Sequence, residues 1–588
     1  MKSKKTLWIL GVMIAWCSLL MTSCSKDDDG IPESTEQVLR DGEWTGSGEG
    51  RSGNIIAKVE VMNHQVKQVT IVSQSESVFA QEAINSIVAN AAGKTDMMSV
   101  EVDGVSGATL TSTGVIDAIN MALQASMGKE EEAAKTYTDD SCDIVIVGAG
   151  GAGLSAAVAA AESNGNLKIV VLEKQGIIGG NTNYSTGGIN AAETEFQYEL
   201  GINDSKQLFY DDTMQGGKQE NIPSLVWNLV ENAPVTISWL SDLGADLTDV
   251  GLMGGSSVKR THRPKGGTAI GPHLIKVLKN ASEISNIEIR TSNKVTGLLS
   301  AIDGSVTGVK VENADGSTYK LTSKAVIIAT GGFGANLAMV AHLQPSLRGF
   351  ATLNHPGATG DAFDWVTAVG GATVQMANIQ IHPTAEATNH ILITEAVRGN
   401  GAILVNHEGK RFCNEMNTRD VVSAAILAQT RGEAFLVFDQ DVRKSLASIE
   451  TYANQHLLSE GATLAELANA VDIPVETLSE SISRYNDQQR AGIDEDFGRN
   501  ATEMPVALEA PPFYAVCVKP AIHHTMGGLS VNTETQVLRA DGTPIPGLYA
   551  AGEVTGGLHG ANRLGGNGVA DIVVNGRLAG LAASEWLK

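Results

Sequence analysis

Residues 142–174 read CDIVIVGAGGAGLSAAVAAAESNGNLKIVVLEK, and this stretch predicts the fold of most of the chain. Continuous apolar runs at 144–147 and 169–172 are typical of buried parallel strands, and the alanine-rich segment 154–162 between them favours a helix. The connecting loop carries glycines in the order G-x-G-x-x-G, and an acid, Glu173, follows about 20 residues after the last glycine. Together these features predict a Rossmann-like βαβ unit that binds a dinucleotide.

The residues of this motif have separate physical roles. Gly148 permits the tight turn after the strand, and Gly150 lets the backbone approach a pyrophosphate at the helix N-terminus. Gly153 is the last glycine of the motif, and Glu173 can accept hydrogen bonds from ribose hydroxyls. The alternative is a glycine-rich loop without a ligand, which the register of both strands, the helix and the acid disfavours.

The composition is that of a large globular protein. The chain has 588 residues, 43% of them hydrophobic, and 64 glycines, which suits several domains of α/β type. A net charge of −24 argues against nucleic acid and anionic lipid as partners. The cysteines lack the spacing of metal ligands and of attached haem, so neither is predicted. They are Cys17, Cys24, Cys142, Cys413 and Cys517.

The N-terminus has the pattern of a targeting segment. Lysines precede an apolar run at 7–21, which is too short and too early for a membrane span. The run ends in MTSC and resembles a bacterial lipoprotein signal, which implies a signal peptide at 1–23 and a lipid on Cys24. The acidic residues at 25–29 resemble a cell-surface export tag, and a solvated linker is an equal alternative. We therefore expect an extracytoplasmic protein, anchored by lipid in the outer membrane or at the cell surface.

A small α+β unit is predicted at 41–128, after a polar linker at 24–40. Alternating apolar residues indicate a hairpin that turns at Asn63 and His64, and helical segments follow. The predicted strands are 55–61 and 65–71, and the predicted helices are 82–91 and 114–127.

The segment 103–112, DGVSGATLTS, lies between those helices. Glycine, serine and threonine ahead of a helix could be an ordinary cap and turn. The string resembles the D-x-x-S-G-A-T-x-T/S motif of FMN-binding domains, in which a flavin transferase esterifies FMN to a threonine. The resemblance implies covalent FMN on Thr109, with Thr111 as the second candidate, and a flavin transferase as partner.

The dinucleotide-binding domain is predicted to be interrupted. A linker at 129–141 leads into its first part at 142–376, an inserted α+β domain follows at 377–523, and its second part is 524–588. No second dinucleotide motif is present, so no nicotinamide site is predicted. The expected elements are a helical region at 205–243, a meander at 294–299, 306–311 and 319–321, a strand that runs into glycines at 325–332 and returns to the first sheet, a strand that runs into a loop at 547–554 and a closing helix at 568–583.

Five further segments place cationic side chains beside glycines and prolines, in loops where function tends to lie. They read HPT at 382–384, TEAVRGNG at 394–401, NEMNTRD at 414–420, HHTMGG at 523–528 and HGANRLGGN at 559–567.

With these five motifs in order, residues 142–588 resemble the soluble FAD-dependent fumarate reductases, of the flavocytochrome c type, and the related urocanate reductases. The resemblance implies that Arg419 donates a proton and that Glu395 and Arg398 relay protons to it. It also implies that His523 and Arg563 bind one substrate carboxylate, and that His382, Thr394 and Glu395 surround the other. The implied contacts of non-covalent FAD are Gly148, Gly150, Ala152, Gly153, Glu173, Asn181, Thr182, Gly187, Gly188, His524, Glu553, Gly568 and Val569.

The chemistry of these residue types fits the implied reaction. Reduction of an α,β-unsaturated acid needs a hydride, a proton and a grip on the carboxylate, and arginine binds a planar carboxylate well. Arginine is a weak acid, with a free pKa of about 12 or more, so Arg419 needs rapid reprotonation through Glu395 and Arg398. A structural salt-bridge network is the alternative role for these three residues.

The substrate and the electron source are less directly indicated. Leu392 departs from the methionine that fumarate-reducing members have at this position, but the apolar character is kept. His382 stands where the residue of urocanate reductases resembles tyrosine, and histidine favours a second carboxylate. We therefore expect fumarate first and urocanate, acrylate or cinnamate types next. An FMN domain stands where flavocytochromes carry haems, so electrons are expected to pass from an external donor through FMN to FAD. A related oxidase or dehydrogenase (amino-acid oxidase or ketosteroid dehydrogenase type) and a non-catalytic electron-transfer lipoprotein remain alternatives.

Overall fold

The computed structural model describes residues 39–49, 54–74, 81–95, 109–126 and 136–588. The predicted signal peptide, Cys24 and the part of the FMN motif before Thr109 lie outside the described residues. Within the described ranges, no helix is long and apolar enough to cross a membrane. In the same ranges, no group of His, Cys, Asp and Glu side chains is arranged to hold a metal ion.

The N-terminal domain is a three-stranded antiparallel sheet with two helices. The predicted hairpin is present, and Asn63 and His64 have positive φ angles of 54° and 64°, as a two-residue turn between twisted strands requires. The first strand was not predicted. Gly46 and Gly48 of this strand let the second helix of the domain pack closely against the sheet. A Cβ at these positions would lie 2.3 and 2.0 Å from backbone oxygens of that helix. The elements are β1 (Gly42–Glu49), β2 (Asn54–Met62), β3 (Gln65–Ser73), α1 (Gln81–Ala91) and α2 (Thr109–Ser126).

The position of Thr109 differs from the prediction. Thr109 is the first residue of α2, whereas a helix was predicted only from 114 onwards. The weak apolar periodicity of the threonine- and serine-rich first turn explains the error, because such residues also favour turns.

The first part of the nucleotide domain alternates strands and helices, as its βαβ motif predicts. Its strands are β4 (Asp140–Ser141), β5 (Ile144–Val147), β6 (Ile169–Leu172), β7 (Ile189–Asn190), β8 (Asp249–Gly251), β9 (Thr261–Arg263), β10 (Glu288–Arg290), β11 (Lys294–Ser300), β12 (Val306–Glu312), β13 (Thr318–Thr322), β14 (Ala325–Ile328) and β15 (Thr373–Val374). Its helices are α3 (Gly151–Ser163), α4 (Glu195–Glu199), α5 (Lys206–Gly216), α6 (Pro223–Asp242), α7 (Ile270–Ile284), α8 (Leu337–Leu343) and α9 (Ala362–Ala368).

The inserted domain surrounds a second sheet with six helices within its described residues. Its strands are β16 (Ile379–Glu386), β17 (Ile403–Val405), β18 (Ala434–Asp439), β19 (Ser459–Gly461) and β20 (Phe513–Thr525). Its helices are α10 (Ala396–Gly399), α11 (Arg419–Leu427), α12 (Gln440–Lys444), α13 (Ala447–Asn454), α14 (Leu464–Ala470) and α15 (Val475–Ala491).

The chain then returns to the nucleotide domain. The remaining elements are β21 (Gly528–Leu529), β22 (Gln536–Leu538), β23 (Pro544–Ala550) and α16 (Asn567–Trp586). The central sheet has the order β10–β6–β5–β14–β23–β22, in which all neighbours are parallel except the β22 edge. Every residue of β5, β6 and β14 is buried, which explains their continuous apolar sequence. Strands from both sides of the insertion thus complete one sheet, as predicted.

Helix α16 closes this domain by packing against α3. A Cβ on Gly576 would lie 2.5 Å from the carbonyl oxygen of Ala152, and one on Gly580 would lie 2.1 Å from that of Ala156. Only glycine allows so close an approach between the two helices. Helix α3 begins at Gly151 rather than at 154, so the loop glycines extend into its first turn.

Residues 136–141, predicted as the end of a linker, pack on the sheet β11–β12–β13–β4. The Asn313 side chain donates to the carbonyl oxygen of Tyr137 at 2.9 Å and accepts from its backbone N–H at 3.1 Å. The guanidinium carbon of Arg290 lies 4.1 Å from the centre of the Tyr137 ring. This short segment is therefore fastened to the nucleotide domain before β5 begins.

Candidate active site

One cavity lies at the carboxyl ends of β5, β14 and β23 and reaches β16 and α11 of the inserted domain. In open α/β sheets, ligands bind at this end of the strands. Of the residues predicted for the FAD and substrate sites, Gly153 and Arg398 are the two that do not line it. Those that line it are Gly148, Gly150, Ala152, Glu173, Asn181, Thr182, Gly187, Gly188, His382, Thr394, Glu395, Arg419, His523, His524, Glu553, Arg563, Gly568 and Val569.

The first turn of α3 is shaped for a phosphate. Gly148 has a φ of +107°, and a Cβ there would lie 2.3 Å from the carbonyl oxygen of Ala329. Gly153 has a packing role, because its Cβ would lie 1.9 Å from the Gly148 oxygen. A Cβ on Gly150 would approach no protein atom closer than 3.6 Å, and Gly150 provides no side-chain cap to the helix. The Thr182 hydroxyl accepts the backbone N–H of Gly151 at 3.1 Å, and open space adjoins Gly150 at this helix N-terminus, which fits the pyrophosphate of FAD.

Glu173 is oriented from both sides. One of its carboxylate oxygens accepts the backbone N–H of Ala149 at 3.0 Å, and the other accepts that of Gln175 at 2.9 Å. Its carboxylate is thereby held at the cavity wall, which fits a ribose diol.

A second helix N-terminus faces the same cavity. Gly566 precedes α16 with a φ of +83° and offers no side-chain cap, and Gly568 and Val569 line the cavity. The positive end of a helix dipole suits the negative charge that a reduced flavin carries. These residues therefore fit the flavin half of FAD.

His524 and Glu553, the predicted flavin contacts, both line the cavity. Glu553 accepts hydrogen bonds from the backbone N–H of Thr525 at 3.1 Å and from the Asn181 amide at 3.4 Å. Burial raises the pKa of Glu553 above its usual value, although these hydrogen bonds act to lower it. His524 packs edge-on against His559, with 5.3 Å between ring centres.

Arg419 and Glu395 form a buried ion pair at the interface of the two domains. Arg419 Nε donates to Glu395 Oε2 at 2.9 Å, and the backbone N–H of Gly254 donates to Glu395 Oε1 at 2.5 Å. Burial alone would raise the pKa of Glu395, but the charges of Arg419 and Arg398 outweigh it and hold this pKa below its usual value. Arg419 is the first residue of α11, so the helix start determines where its side chain enters the cavity.

Arg398 lies behind Glu395, away from the cavity. Its Nη2 is 3.8 Å from Glu395 Oε2, and only 1% of the residue is exposed. Burial lowers the pKa of Arg398, and the Glu395 charge opposes this shift. Glu395 therefore lies between Arg419 and Arg398.

Gln380 was missed from the sequence. Its side-chain oxygen accepts from Arg419 Nη1 at 3.1 Å, and its side-chain nitrogen donates to the Arg563 carbonyl oxygen at 2.7 Å. It thus connects the predicted proton donor to a predicted substrate ligand. The available signal was strand alternation, since Gln380 and His382 are two residues apart on β16.

His382 and His523 face each other with 5.1 Å between ring centres. The backbone N–H of Thr384 donates to His382 Nδ1 at 3.3 Å, so Nδ1 is the acceptor and Nε2 carries the proton. Burial, followed by the charge of Arg419, lowers the pKa of both histidines well below its usual value. Both rings are therefore neutral hydrogen-bond donors at neutral pH.

Arg563 completes the polar wall. Burial, followed by the charge of Arg419, lowers its pKa to about 9, so it is still a cation at neutral pH. Its Nε has no hydrogen-bond partner among the described residues. A buried, unpartnered guanidinium N–H beside neutral histidines suits a carboxylate.

Comparison with known proteins follows the same division of the chain. The model of the FAD binding domain family matches residues 143–569, and that of the FMN-binding domain family matches residues 50–124. Fumarate reductase (cytochrome) from Shewanella frigidimarina is 45% identical over 466 residues, which cover 79% of this chain and 81% of that protein. This chain belongs to the flavin-dependent fumarate reductase family. It is an FAD-dependent oxidoreductase with an additional FMN-binding domain.

Two further relatives extend the comparison. Urocanate reductase from Eggerthella lenta is 34% identical over 564 residues, 92% of each chain. The open conformation of a flavocytochrome c3 fumarate reductase superposes with a TM-score of 0.64 at 39% identity, covering 76% of this chain and 79% of that chain. The predicted α/β fold and the cofactors FAD and FMN are thereby confirmed.

The buried histidines predict an acid-sensitive stability. In the folded protein, the pKa of each of His382, His523, His524 and His559 is lowered, and burial lowers those of His262 and His355 to about 4. Below about pH 6.5, the unfolded chain therefore binds more protons than the folded protein. The free energy of unfolding then decreases as the pH is lowered, by about 1.4 kcal/mol per pH unit for each such histidine. Urea unfolding between about pH 7.5 and pH 5.5, above the usual range of carboxyl groups, measures this slope.

The matched variants are His355→Gln and the exposed His390→Asn. The first should reduce the slope by about one histidine's share, and the second should leave it unchanged. Stability that is constant or rises as the pH falls through this window would show that these histidines are not buried as neutral rings.

Proposed function

We propose that this protein reduces the carbon–carbon double bond of fumarate to give succinate. The observation that carries the proposal is the charge of the substrate end of the cavity. Arg419 and Arg563 line this end of the cavity, Glu395 is paired with Arg419, and His382 and His523 are neutral. Two arginines beside neutral hydrogen-bond donors suit a substrate with two carboxylates, whereas an acrylate-type acid carries only one.

In the proposed reaction, His523 and Arg563 bind one carboxylate, and His382 with Thr394 binds the other. FAD, when bound and reduced, would supply the hydride for one alkene carbon. Arg563 stabilises the negative charge that develops on the carboxylate during this transfer, because it is already buried in the cavity wall. Arg419 delivers the proton to the other carbon, and Glu395 and Arg398 return a proton to Arg419.

Urocanate reduction is the second candidate. The Eggerthella lenta relative matches 92% of this chain, which includes the N-terminal domain. His382 argues against an imidazole-bearing substrate, since its Nε2–H offers a hydrogen bond to a carboxylate rather than a hydrophobic face to a ring. A panel of fumarate, urocanate, acrylate and cinnamate, tested for reoxidation of the reduced flavin, separates these substrates.

We further propose that FMN is attached to Thr109 by a separate flavin transferase and passes electrons from an external donor to FAD. The proposal is supported by the motif resemblance and by the FMN-binding family match to residues 50–124. The lipoprotein-like N-terminus supports a lipid anchor on Cys24 and a place at the outer membrane or cell surface.

Replacement of the proposed acid should abolish turnover without loss of FAD. With dithionite-reduced viologen as donor, the parent should convert fumarate to succinate, and Arg419→Ala should lower kcat about 100-fold or more. The flavin absorbance should persist, because Arg419 belongs to the inserted domain. Arg484→Ala, which removes an exposed arginine, is the control. Full activity of Arg419→Ala would refute the assignment.

FMN attachment can be read directly from protein mass. Co-expression with a flavin transferase should add one FMN to the parent and to Thr111→Ala, and none to Thr109→Ala. All three should retain FAD, and Thr109→Ala should lose reduction of FAD by the physiological donor while still accepting electrons from free viologen. FMN retained on Thr109→Ala but lost from Thr111→Ala would move the attachment site.

The lipid anchor predicts a membrane-bound protein. Cys24→Ala should move the protein from the membrane fraction to the soluble fraction and remove the fatty-acid label, whereas Cys17→Ala should do neither. Membrane association that survives Cys24→Ala, without a lipid label on the parent, would contradict the proposal.

A further inference from the structure

A buried ionic cluster lies beside the proton relay, and the proposed reaction does not use it directly. We name Arg411, Glu415, Asp494 and Arg499 the Glu415 cluster. Arg411 Nε and Nη2 each donate to the Glu415 carboxylate at 2.8 Å, and Arg499 Nη1 donates to it at 3.0 Å. Arg411 Nη2 also reaches Asp494 at 2.8 Å. Both Glu415 and Arg499 have no exposed side-chain surface.

The cluster holds Arg398 at two points. Arg499 Nη2 donates to the backbone carbonyl oxygen of Arg398 at 2.5 Å. The Arg398 side chain in turn donates through Nη1 to the backbone carbonyl oxygen of Glu415, also at 2.5 Å. The main chain at 398 and one edge of its guanidinium are therefore both fastened to residues of the same cluster.

This attachment leaves the other edge of Arg398 available. Its Nε and Nη2 have no hydrogen-bond partner among the described residues, and Nη2 lies 3.8 Å from Glu395 Oε2. That distance is slightly beyond hydrogen-bond range, so a movement of about 1 Å opens or closes this contact. Because the Arg398 guanidinium is held through Nη1, its free edge can contact Glu395 in only one orientation.

We propose that Arg499 and Glu415 are positioning residues for the proton relay, which hold the free edge of Arg398 toward Glu395. The proposal rests on the proposed reduction of a double bond with Arg419 as acid. Buried ion pairs contribute little net stability, because desolvation offsets their attraction, so geometry is the better explanation of a cluster with two arginines on one carboxylate. Displacement of a reacting group by about 1 Å can cost about 100-fold in rate.

Arg499→Lys is the decisive variant. Lysine keeps the positive charge beside Glu415 but cannot also reach the Arg398 carbonyl oxygen with a planar fork. We expect kcat for fumarate to fall about 10- to 100-fold while KM changes little, because the substrate ligands are untouched. The solvent deuterium isotope effect on kcat should rise, because return of a proton to Arg419 becomes rate-limiting. Arg260→Lys is the control, since Arg260 is equally buried and paired with Asp204 and Asp212.

A double-mutant cycle separates positioning from general destabilisation. If Arg499 acts through Arg398, Arg499→Lys should have almost no further effect on kcat in an Arg398→Ala background. Thermal unfolding and FAD content, measured on all variants, report the loss of stability that each substitution causes. Arg260→Lys should show a similar loss of stability but no change in the isotope effect.

The outcomes are distinct. The positioning role is overturned if the effects of Arg499→Lys and Arg398→Ala on kcat are additive. It is also overturned if Arg499→Lys leaves the isotope effect at the parent value. In both cases the proposed function stands. If fumarate does not reoxidise the reduced flavin of the parent protein, both the positioning role and the proposed function are overturned. If Arg499→Lys loses FAD, Arg411→Lys tests the same carboxylate from its other side and should raise the isotope effect more weakly. Loss of FAD from both variants would mean that the cluster holds the fold and would overturn the proposal.

Discussion

The ion pair between Arg419 and Glu395 is the interaction on which the arrangement of the site depends. Two opposite charges of the inserted domain are buried where it meets the nucleotide domain, so each needs further hydrogen-bond partners. Gly254 of the nucleotide domain donates its backbone N–H to Glu395, and Gln380 of the inserted domain accepts from Arg419. The contact between the two domains therefore includes a residue of the candidate site.

The interrupted nucleotide domain explains how these partners meet. Because β23 and α16 return to the first sheet after the insertion, Arg563 and the N-terminus of α16 reach the same cavity as α3. Strand β20 runs from the inserted domain to Thr525, so His523 and His524 lie on one strand, and both line the cavity. One strand thus fixes the separation of these two side chains.

The same burial that assembles the site also determines its electrostatics. Desolvation removes the charge of His382 and His523, while arginine, which is harder to neutralise, keeps its charge. The result is a cationic pocket whose hydrogen-bond donors are partly neutral. Such a pocket holds an anion without a large like-charge repulsion among its own residues.

The sequence by itself determined the βαβ unit and the interruption of the nucleotide domain. Local glycine spacing and continuous apolar runs are sufficient for these, because they depend on backbone conformation and strand burial. The polar residues of the substrate end were named only through the resemblance of their motifs to a known family. The first strand β1 and the start of α2 were not predicted, since glycine- and threonine-rich segments carry little periodicity. Only the tertiary structure decided that Gln380 bridges Arg419 to Arg563, that Gly254 contacts Glu395 and that Arg398 is held by Arg499. These contacts join residues that are distant in the chain, and no local pattern encodes which buried charges will share a partner.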